Sequence, residues 1–336
     1  MGRGTRRQAA MIDPFGRRVE YLRISVTDKC NLRCVYCMPE EGLPWLKKDQ
    51  LLTYEEIQEV VQVMAPLGLK RIRLTGGEPL VRKDLPRLVA LLSSIPGIDE
   101  VSLTTNAVLL KDLAKPLKAA GTSRVNISLD SFRPERVDDL ARRKGTFERV
   151  LEGLDAAEKA GLDPIKINVV LIRGKNDDEI ADFAHATRTR PWHIRFIEIM
   201  PTASNLDLSA NDFFSCQEAL EKLREIGELE AVTGPEGNGP ASYFRFPGAK
   251  GTVGVITPMS HSFCEGCNRL RLTADGQLRP CLFGEIQTNL RDPLRAGADL
   301  LPLIENTLRI KPESHDLVQG SDKGSGGLIA LSQTGG

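Results

Sequence analysis

The chain has 336 residues, which is enough for a full hydrophobic core built as one large domain or two smaller ones. Its 45 lysines and arginines equal its 45 aspartates and glutamates, so the overall charge gives no indication of a nucleic-acid or membrane surface. No run approaches the roughly 18 apolar residues of a membrane span, and the first residues lack the apolar run of a signal peptide. These features predict a cytoplasmic protein that binds neither nucleic acid nor membrane.

From Val19 onward, β-branched runs alternate with amphipathic helical stretches, a pattern typical of parallel βαβ units. A capping box at 53–56 begins the first helix, and Gly68, Gly121 and Gly161 follow helix ends. Strands are predicted at 21–27, 71–75, 100–105, 124–130, 165–171 and 194–198. Six βα units are fewer than the eight of a closed TIM barrel, so we predict an α/β fold with a partial, open TIM-like barrel.

Three cysteines with the spacing C-x3-C-x2-C, namely Cys30, Cys34 and Cys37, follow the first predicted strand. Three thiols can hold a metal or cluster and leave one coordination position open for a substrate or cofactor. Structural zinc usually takes four ligands, and no fourth cysteine or histidine lies nearby, so the spacing favours an iron–sulfur cluster over a zinc knuckle. The seventh cysteine, Cys216, is predicted to be a buried helix residue.

Polar and turn residues collect at the C-terminal ends of the predicted strands, where the active sites of barrels are built. They include 76–79 after the second strand, 104–106, 128–130 and 198–201. Each has a structural alternative, namely a tight turn, a hydroxyl satisfied by the backbone, or a helix cap. Lys166 and Asn168 face the same side of a strand that should be buried, and a buried lysine is rare unless paired, so this pair favours a functional site.

A second set of three cysteines lies in the last third of the chain. Proline, glycine and asparagine accumulate at 233–240, and strand-like runs follow at 243–246 and 252–256. We therefore predict a flexible tail at 1–13, a barrel at 14–228 and a smaller C-terminal α+β domain at 229–336 that closes the barrel mouth. This domain contains Cys264, Cys267 and Cys281, which predict a second cluster with one open iron. A zinc site completed by His261 is the alternative.

Arginines next to the second cysteine set indicate an anion site. Arg269 and Arg271 are two apart on an extended segment, so they point the same way, and their planar guanidinium groups suit phosphate oxygens. Because the sequence contains no P-loop motif, a bound triphosphate would be held by cationic side chains. The alternative is that these are solvated surface side chains. Candidates for the same mouth are Arg23, Arg73, Lys166 and Arg195.

The first cysteine motif, with Tyr36 before its last cysteine, resembles the cluster loop of the radical S-adenosylmethionine (SAM) enzymes. Its pairing with C-x2-C-x13-C resembles the GTP 3′,8-cyclases of molybdenum cofactor biosynthesis, from about residue 13 to the terminal Gly335-Gly336. The resemblance implies two [4Fe-4S] clusters, each ligated by three cysteines. It also implies that SAM is cleaved reductively, that the 5′-deoxyadenosyl radical removes the 3′ hydrogen of GTP, and that the ribose then bonds to C8 of guanine.

The resemblance also implies roles for individual residues. Those expected to contact SAM are Tyr36, Gly77, Glu78, Ser128 and Met200, with Glu78 as an acceptor for the amino group. Those expected to bind GTP are Arg23, Arg73, Thr104, Lys166, Arg195, Arg269, Leu270 and Arg271. Those expected to take part in catalysis are Arg269, Arg271, Gly335 and Gly336, since in this family the terminal diglycine reaches into the active site.

The expected partners are GTP, an electron donor, a downstream pyranopterin-forming enzyme and a second copy of the chain in a homodimer. Two other functions fit the same motifs. The chain could be a peptide-modifying radical SAM enzyme with an auxiliary cluster, which would not need arginines for a triphosphate. It could also be a non-catalytic zinc or iron–sulfur binding module, although pure electron carriers usually have fully cysteine-ligated clusters.

Overall fold

The structure is a computed structural model that describes residues 10–202, 208, 210–235, 239–315 and 331. The strands are β1 (Tyr21–Ser25), β2 (Arg71–Thr75), β3 (Glu100–Thr105), β4 (Thr122–Ser128), β5 (Lys166–Leu171), β6 (His193–Glu198), β7 (Glu230–Val232), β8 (Ser242–Arg245), β9 (Thr252–Ile256), β10 (Arg269–Leu272), β11 (Gln277–Arg279) and β12 (Thr288–Asn289). The helices are α1 (Tyr54–Met64), α2 (Leu85–Ser93), α3 (Leu110–Ala119), α4 (Pro134–Ala141), α5 (Thr146–Ala160), α6 (Ile180–Thr189), α7 (Cys216–Ile226), α8 (Arg291–Arg295) and α9 (Leu301–Arg309).

The six predicted strands are confirmed as β1 to β6, which pair in parallel and in chain order. A helix follows each of them, as the alternating pattern predicts. The strand bounds differ by at most two residues, because β1 ends at Ser25 and β4 covers Thr122–Ser128. The capping box at Thr53 is present, and Gly161 ends α5 in the left-handed conformation with φ 69°. Cys216 is the first residue of α7 and is buried, as predicted.

The sheet is open. All twelve strands form one sheet in the order β12-β11-β10-β1-β2-β3-β4-β5-β6-β9-β8-β7, and neither terminal strand pairs with the other in the described part of the chain. The predicted partial barrel of α/β type is therefore confirmed. Among the described residues, no helix combines the length and the hydropathy needed to cross a membrane.

The C-terminal segment contributes strands to both edges of the six-stranded barrel sheet. On one edge β10 pairs in parallel with β1, which places Arg269 beside Tyr21 and Arg271 beside Arg23. On the other edge β9 pairs in parallel with β6, and Arg195 lies beside Gly254. Residues from both halves of the sequence therefore line one interior. The domain boundary between 228 and 229 stays a prediction.

Alternation along the strands separates a hydrophobic core from a polar interior. Leu22, Ile24 and Leu74 are buried and pack in the main core with helix residues such as Ile57 and Leu88. The intervening residues of the same strands are largely polar, and many carry a positive charge. The core thus lies between sheet and helices, and the polar face is left to form a site.

Candidate active site

The first cysteine set lies in the loop that follows β1. Cys30, Cys34 and Cys37 are free thiols, each partly exposed. Two hydrogen bonds hold the loop near α4 and β4: the amide of Val35 donates to the carbonyl of Leu140 at 3.0 Å, and the Tyr36 hydroxyl donates to Asp130 Oδ2 at 2.7 Å. Tyr36 therefore helps to fix the position of the cysteine loop. Its contact with SAM stays a prediction.

Gly77 allows the segment after β2 to lie directly against the backbone that precedes Cys30. The amide of Gly77 donates to the carbonyl of Thr27 at 2.8 Å, and the amide of Glu78 donates to that of Lys29 at 2.8 Å. A Cβ atom on Gly77 would overlap the carbonyl oxygens of Asp28 and Lys29. Only glycine permits this approach, which positions the start of the cysteine loop.

Glu78 is 1 % exposed, and its carboxylate joins the loop after β2 to the end of β3. It accepts hydrogen bonds from the Thr105 hydroxyl at 2.7 Å, the Asn106 amide at 2.7 Å and the Leu80 amide at 3.0 Å. Burial raises the pKa of Glu78 to about 7, although these hydrogen bonds favour the ionised form. The carboxylate thus has a structural role, and its contact with the SAM amino group stays a prediction.

A small cavity of about 30 Å³ lies beside the first cysteine set. Tyr36 and Ser128, both expected at the SAM site, line it together with Cys34, Asn106 and Asp130. Burial raises the pKa of Asp130 to about 6, against the hydrogen bonds from the Val170 amide and the Tyr36 hydroxyl. Met200, the remaining residue predicted for SAM, is partly buried just beyond the end of β6.

The second cysteine set surrounds β10 and β11. Cys264 is the first residue of a short 3₁₀ turn before β10, Cys267 directly follows that turn, and Cys281 comes two residues after β11. All three thiols are free and partly exposed. Burial raises the pKa of Cys267, but the charges of Lys311 and Arg269 outweigh this effect and the net pKa is lowered. This thiol is therefore more readily a thiolate, the form that binds metal.

Seven cations form a group inside the barrel, which we call the cationic cluster. Its members are Arg23, Arg73, Arg124, Lys166, Arg195, Arg269 and Arg271. They come from β1, β2, β4, β5, β6 and β10, so strand register rather than sequence proximity brings them together. Arg271 also lies near Cys267 and Cys281, which places the cluster next to the second cysteine set.

Burial and mutual repulsion lower the pKa values of Arg23, Arg73, Lys166, Arg195 and Arg271. Burial is the larger cause, followed by the neighbouring charges. The pKa of Arg73 and of Arg271 falls to about 10, and that of Lys166 falls to about 6. The Nε atoms of Arg124, Arg195 and Arg269 are buried without a hydrogen-bond partner among the described residues. An anion bound in this interior would supply acceptors for these guanidinium nitrogens.

Three polar residues of this interior were missed in the sequence. Tyr21 is 4 % exposed, its ring lies 5.3 Å from the Arg73 guanidinium, and its hydroxyl has no partner in the described part of the chain. Arg124 pairs with Glu100 at 2.7 Å. His193 Nδ1 lies 2.8 Å from Thr252 Oγ1, and burial with nearby cations lowers its pKa to about 4. The signal was available, because each residue has the inward parity of a predicted site residue on its own strand.

Two further residues predicted to bind GTP, Thr104 and Leu270, are not part of the cationic cluster. Thr104 is partly exposed on the inward face of β3, 3.5 Å from the Asn126 amide nitrogen. Leu270 is buried in the hydrophobic core, on the opposite face of β10 from Arg269 and Arg271. A GTP contact at Leu270 would therefore involve its backbone. Gly335 and Gly336 lie outside the described residues.

Comparisons with known proteins place this site in a family. Residues 24–187 match the radical SAM superfamily, and residues 192–317 match the C-terminal region described as molybdenum cofactor synthesis C. Curated relatives named GTP 3′,8-cyclase include that of Pelotomaculum thermopropionicum, 49 % identical over 92 % of this chain and 96 % of the relative. The relative from Moorella thermoacetica is 48 % identical over 92 % of this chain and 96 % of its own length. The chain belongs to the GTP 3′,8-cyclase family.

A solved structure supports the fold of this cyclase family member. Streptococcus suis SuiB bound to S-adenosylmethionine has a TM-score of 0.61 and 14 % identity, covering 86 % of this chain and 67 % of SuiB. At that identity the likeness concerns the fold alone. The radical SAM family implies a [4Fe-4S] cluster and SAM.

The first cysteine set fits such a cluster. Cys34 lies close enough to Cys30 and Cys37 for their charges to affect it, and burial raises its pKa well above the ordinary value. No three His, Cys, Asp or Glu side chains in the described ranges converge closely enough to hold a single metal ion. A cubane cluster does not need that convergence, because each thiolate binds a different iron. The three thiols of this loop are therefore compatible with the cluster that the radical SAM family implies.

Proposed function

We propose that this chain is a GTP 3′,8-cyclase that catalyses the first step of molybdenum cofactor biosynthesis. The observation that carries the proposal is the cationic cluster inside the barrel, which lies next to the second set of three cysteines. A family of this name requires a site for a nucleoside triphosphate next to a radical source. The cationic cluster supplies charge for the first need, and the Cys30–Cys37 loop supplies ligands for the second.

Electrostatics favour a triphosphate as the occupant of the cationic cluster. Burial lowers the pKa values of Arg73 and Lys166, and the neighbouring cations lower them further, so bringing these groups together inside the protein costs free energy. A polyanion removes that repulsion and provides acceptors for buried guanidinium nitrogens. Arginine forks from β1, β2 and β10 would bind phosphate oxygens without a P-loop, in agreement with the absence of that motif.

We propose that Cys264, Cys267 and Cys281 hold a second [4Fe-4S] cluster. Three thiols with no fourth cysteine ligand would leave one iron open. Two observations support this assignment: the pKa of Cys267 is lowered, and Arg271 lies near both Cys267 and Cys281. A ligand on the open iron would then lie next to the cationic cluster, so guanine and triphosphate could be bound together.

The remaining work of the chain is to position the reactants and exclude water. When bound, the first cluster and SAM supply the 5′-deoxyadenosyl radical by reductive cleavage. Tyr36 and Glu78 fix the loops that surround the SAM site through their contacts with Asp130 and Asn106. Arg23, Arg73 and Arg271 would orient GTP, because holding two reactants in one geometry removes much of the entropic barrier.

We propose further that the terminal Gly335-Gly336 reaches the active site, as the family resemblance implies. Removing both glycines is expected to abolish cyclised product while the clusters remain. The proposed partners are an external electron donor, a downstream pyranopterin-forming enzyme and a second copy of the chain, in a cytoplasmic setting.

Anaerobic turnover tests the function. The reconstituted, reduced protein is incubated with SAM and each nucleoside triphosphate in turn, and 5′-deoxyadenosine and nucleotide are followed by chromatography. We expect deoxyadenosine to rise with GTP, and GTP to be converted to a cyclised product. Cleavage of SAM with GTP left intact would reject GTP as the substrate. No cleavage despite loaded clusters would reject the enzyme and favour a binding module.

Two arginine variants connect the activity to the cationic cluster. Arg269→Ala and Arg271→Ala are expected to weaken GTP binding at least tenfold, because each removes a guanidinium next to the second cysteine set. Arg309→Ala, at an exposed position on α9, is the matched control. Unchanged GTP binding in both variants would contradict the assignment and is the result expected of a peptide-modifying enzyme.

A further inference from the structure

Lys311 is a buried lysine whose amino group contacts the second cysteine set. It is 3 % exposed and lies two residues beyond the end of α9. Its Nζ atom donates to Cys267 Sγ at 3.4 Å, to the Arg269 carbonyl at 3.1 Å and to the Pro280 carbonyl at 2.8 Å. An ammonium group has three N–H donors, and here two of them bind carbonyl oxygens and the third binds the sulfur of Cys267.

These three acceptors belong to the two separate parts of the cysteine set. Cys267 and the Arg269 carbonyl lie at the start of β10, whereas Pro280 immediately precedes Cys281. One amino group therefore connects the C-x2-C turn to the segment carrying the third cysteine. No carboxylate of the described residues forms an ion pair with Lys311, so its charge is balanced only by dipoles and by the thiol. A buried charge in that position needs an anionic partner.

Arg17 holds the segment that follows Lys311 next to the second cysteine set. Arg17 is 9 % exposed, and its guanidinium pairs with Asp13 at 2.5 Å. It donates to the Cys264 carbonyl at 2.7 Å and to the carbonyls of Pro312 and Glu313 at 2.6 and 2.7 Å. The segment that carries Lys311 is thus fixed against the first cysteine of the set as well, which leaves the amino group little freedom to move away.

We propose that Lys311 is a positioning residue of the second iron–sulfur cluster, which it orients through Cys267 and whose reduced state it stabilises. The inference rests on the proposed function, because it requires a cluster on Cys264, Cys267 and Cys281. A donor to a ligating sulfur and a nearby positive charge both stabilise the more negative, reduced cluster. Removing the amino group therefore lowers the reduction potential of this cluster and leaves the first cluster unaffected.

Three variants of the full-length, anaerobically reconstituted protein test this role. Lys311→Met keeps the length of the side chain and removes its charge, Lys311→Arg keeps the charge, and Lys250→Met alters an exposed lysine as control. Redox titrations followed by electron paramagnetic resonance give the potential of each cluster. The same titrations in a background with Cys30, Cys34 and Cys37 replaced by alanine assign the signal of the second cluster.

We expect Lys311→Met to shift the potential of the second cluster downward, or to lose the iron of that cluster alone, while Lys311→Arg restores it and Lys250→Met changes nothing. An unchanged potential and unchanged iron content in Lys311→Met would overturn the proposal. Equal damage to both clusters in Lys311→Met and Lys311→Arg, with a lower melting temperature, would also overturn it in favour of a general structural role. Iron sufficient for only one cluster in the unmodified protein would instead reject the second cluster itself.

Discussion

Lys166 has a strongly lowered pKa among the predicted GTP residues. Burial lowers its pKa from 10.5 to about 6, and Arg124, Arg195 and Arg73 add to the effect. At pH 7 its amino group is therefore mostly neutral in the nucleotide-free protein. A bound polyanion would reverse the sign of the local potential and move this pKa back towards its ordinary range.

We therefore predict that GTP binding is accompanied by proton uptake. Because the free pKa is about 6, the uptake appears above pH 6, and GTP affinity falls as pH rises through that region. Calorimetric titration in two buffers of different ionisation enthalpy measures the number of protons taken up. Lys166→Met should reduce the uptake and weaken binding, whereas Lys144→Met at an exposed position should do neither. Equal uptake by Lys166→Met and the unmodified protein would contradict the assignment.

Individual site residues were predictable where chemistry and strand parity agreed. Arg23, Arg73 and Lys166 carry charge on inward positions of strands that the sequence identifies, and the structure brings them together. The structural partners of Glu78 were not predictable, because Thr105 and Asn106 reach it through strand pairing rather than proximity in sequence. Long-range hydrogen bonds of this kind leave no local sequence signal.

At the scale of elements, Gly77 decides whether the cysteine loop can form. A side chain there would meet the backbone carbonyls of Asp28 and Lys29, which cannot move without displacing Cys30. We predict that Gly77→Ala loses most of the iron of the first cluster and keeps that of the second. Gly227→Ala is the control, because a Cβ there would make only ordinary contacts, the nearest at 3.7 Å from Phe246. Iron analysis with electron paramagnetic resonance checks the result, and a fully loaded first cluster in Gly77→Ala would refute it.

Glu198, the last residue of β6, connects three parts of the fold. This fully buried carboxylate accepts from the Cys216 amide at 3.1 Å and from the Met259 and Ser260 amides at 3.0 Å. It thereby joins the end of β6 to the start of α7 and to the loop that leads to the second cysteine set. The motif after β6 was noticed in the sequence, but this connecting role was not.

Glu198→Ala is expected to leave one buried amide, that of Cys216, and two partly buried amides, those of Met259 and Ser260, without this acceptor and to destabilise the fold by about 3 kcal/mol. Glu221→Ala, at an exposed position on α7, should change stability by less than about 0.5 kcal/mol. Urea unfolding of the reconstituted proteins under anaerobic conditions gives both values. A Glu198→Ala midpoint equal to that of Glu221→Ala would show that water or other groups satisfy these amides.

At the scale of the whole molecule, the sequence predicted the order of β1 to β6 but not how the C-terminal segment attaches to them. Alternating strand and helix signals specify a parallel sheet, because each crossover brings the next strand alongside the last. No such rule applies to β9 and β10, which reach opposite edges of the sheet. The short strands β7, β11 and β12 have too few residues for a periodic pattern.

This attachment predicts that residues 1–228 do not fold alone. Without the C-terminal segment, β1 loses its pairing with β10 and β6 loses its pairing with β9, so both edges of the barrel sheet become unpaired. Leu22 would also lose the neighbouring core residue Leu270. We expect the 1–228 fragment to aggregate or to lack a cooperative thermal transition by circular dichroism, whereas the full chain unfolds cooperatively. A monomeric fragment with a sharp transition would show that the barrel is an independent domain, as the boundary between 228 and 229 predicts.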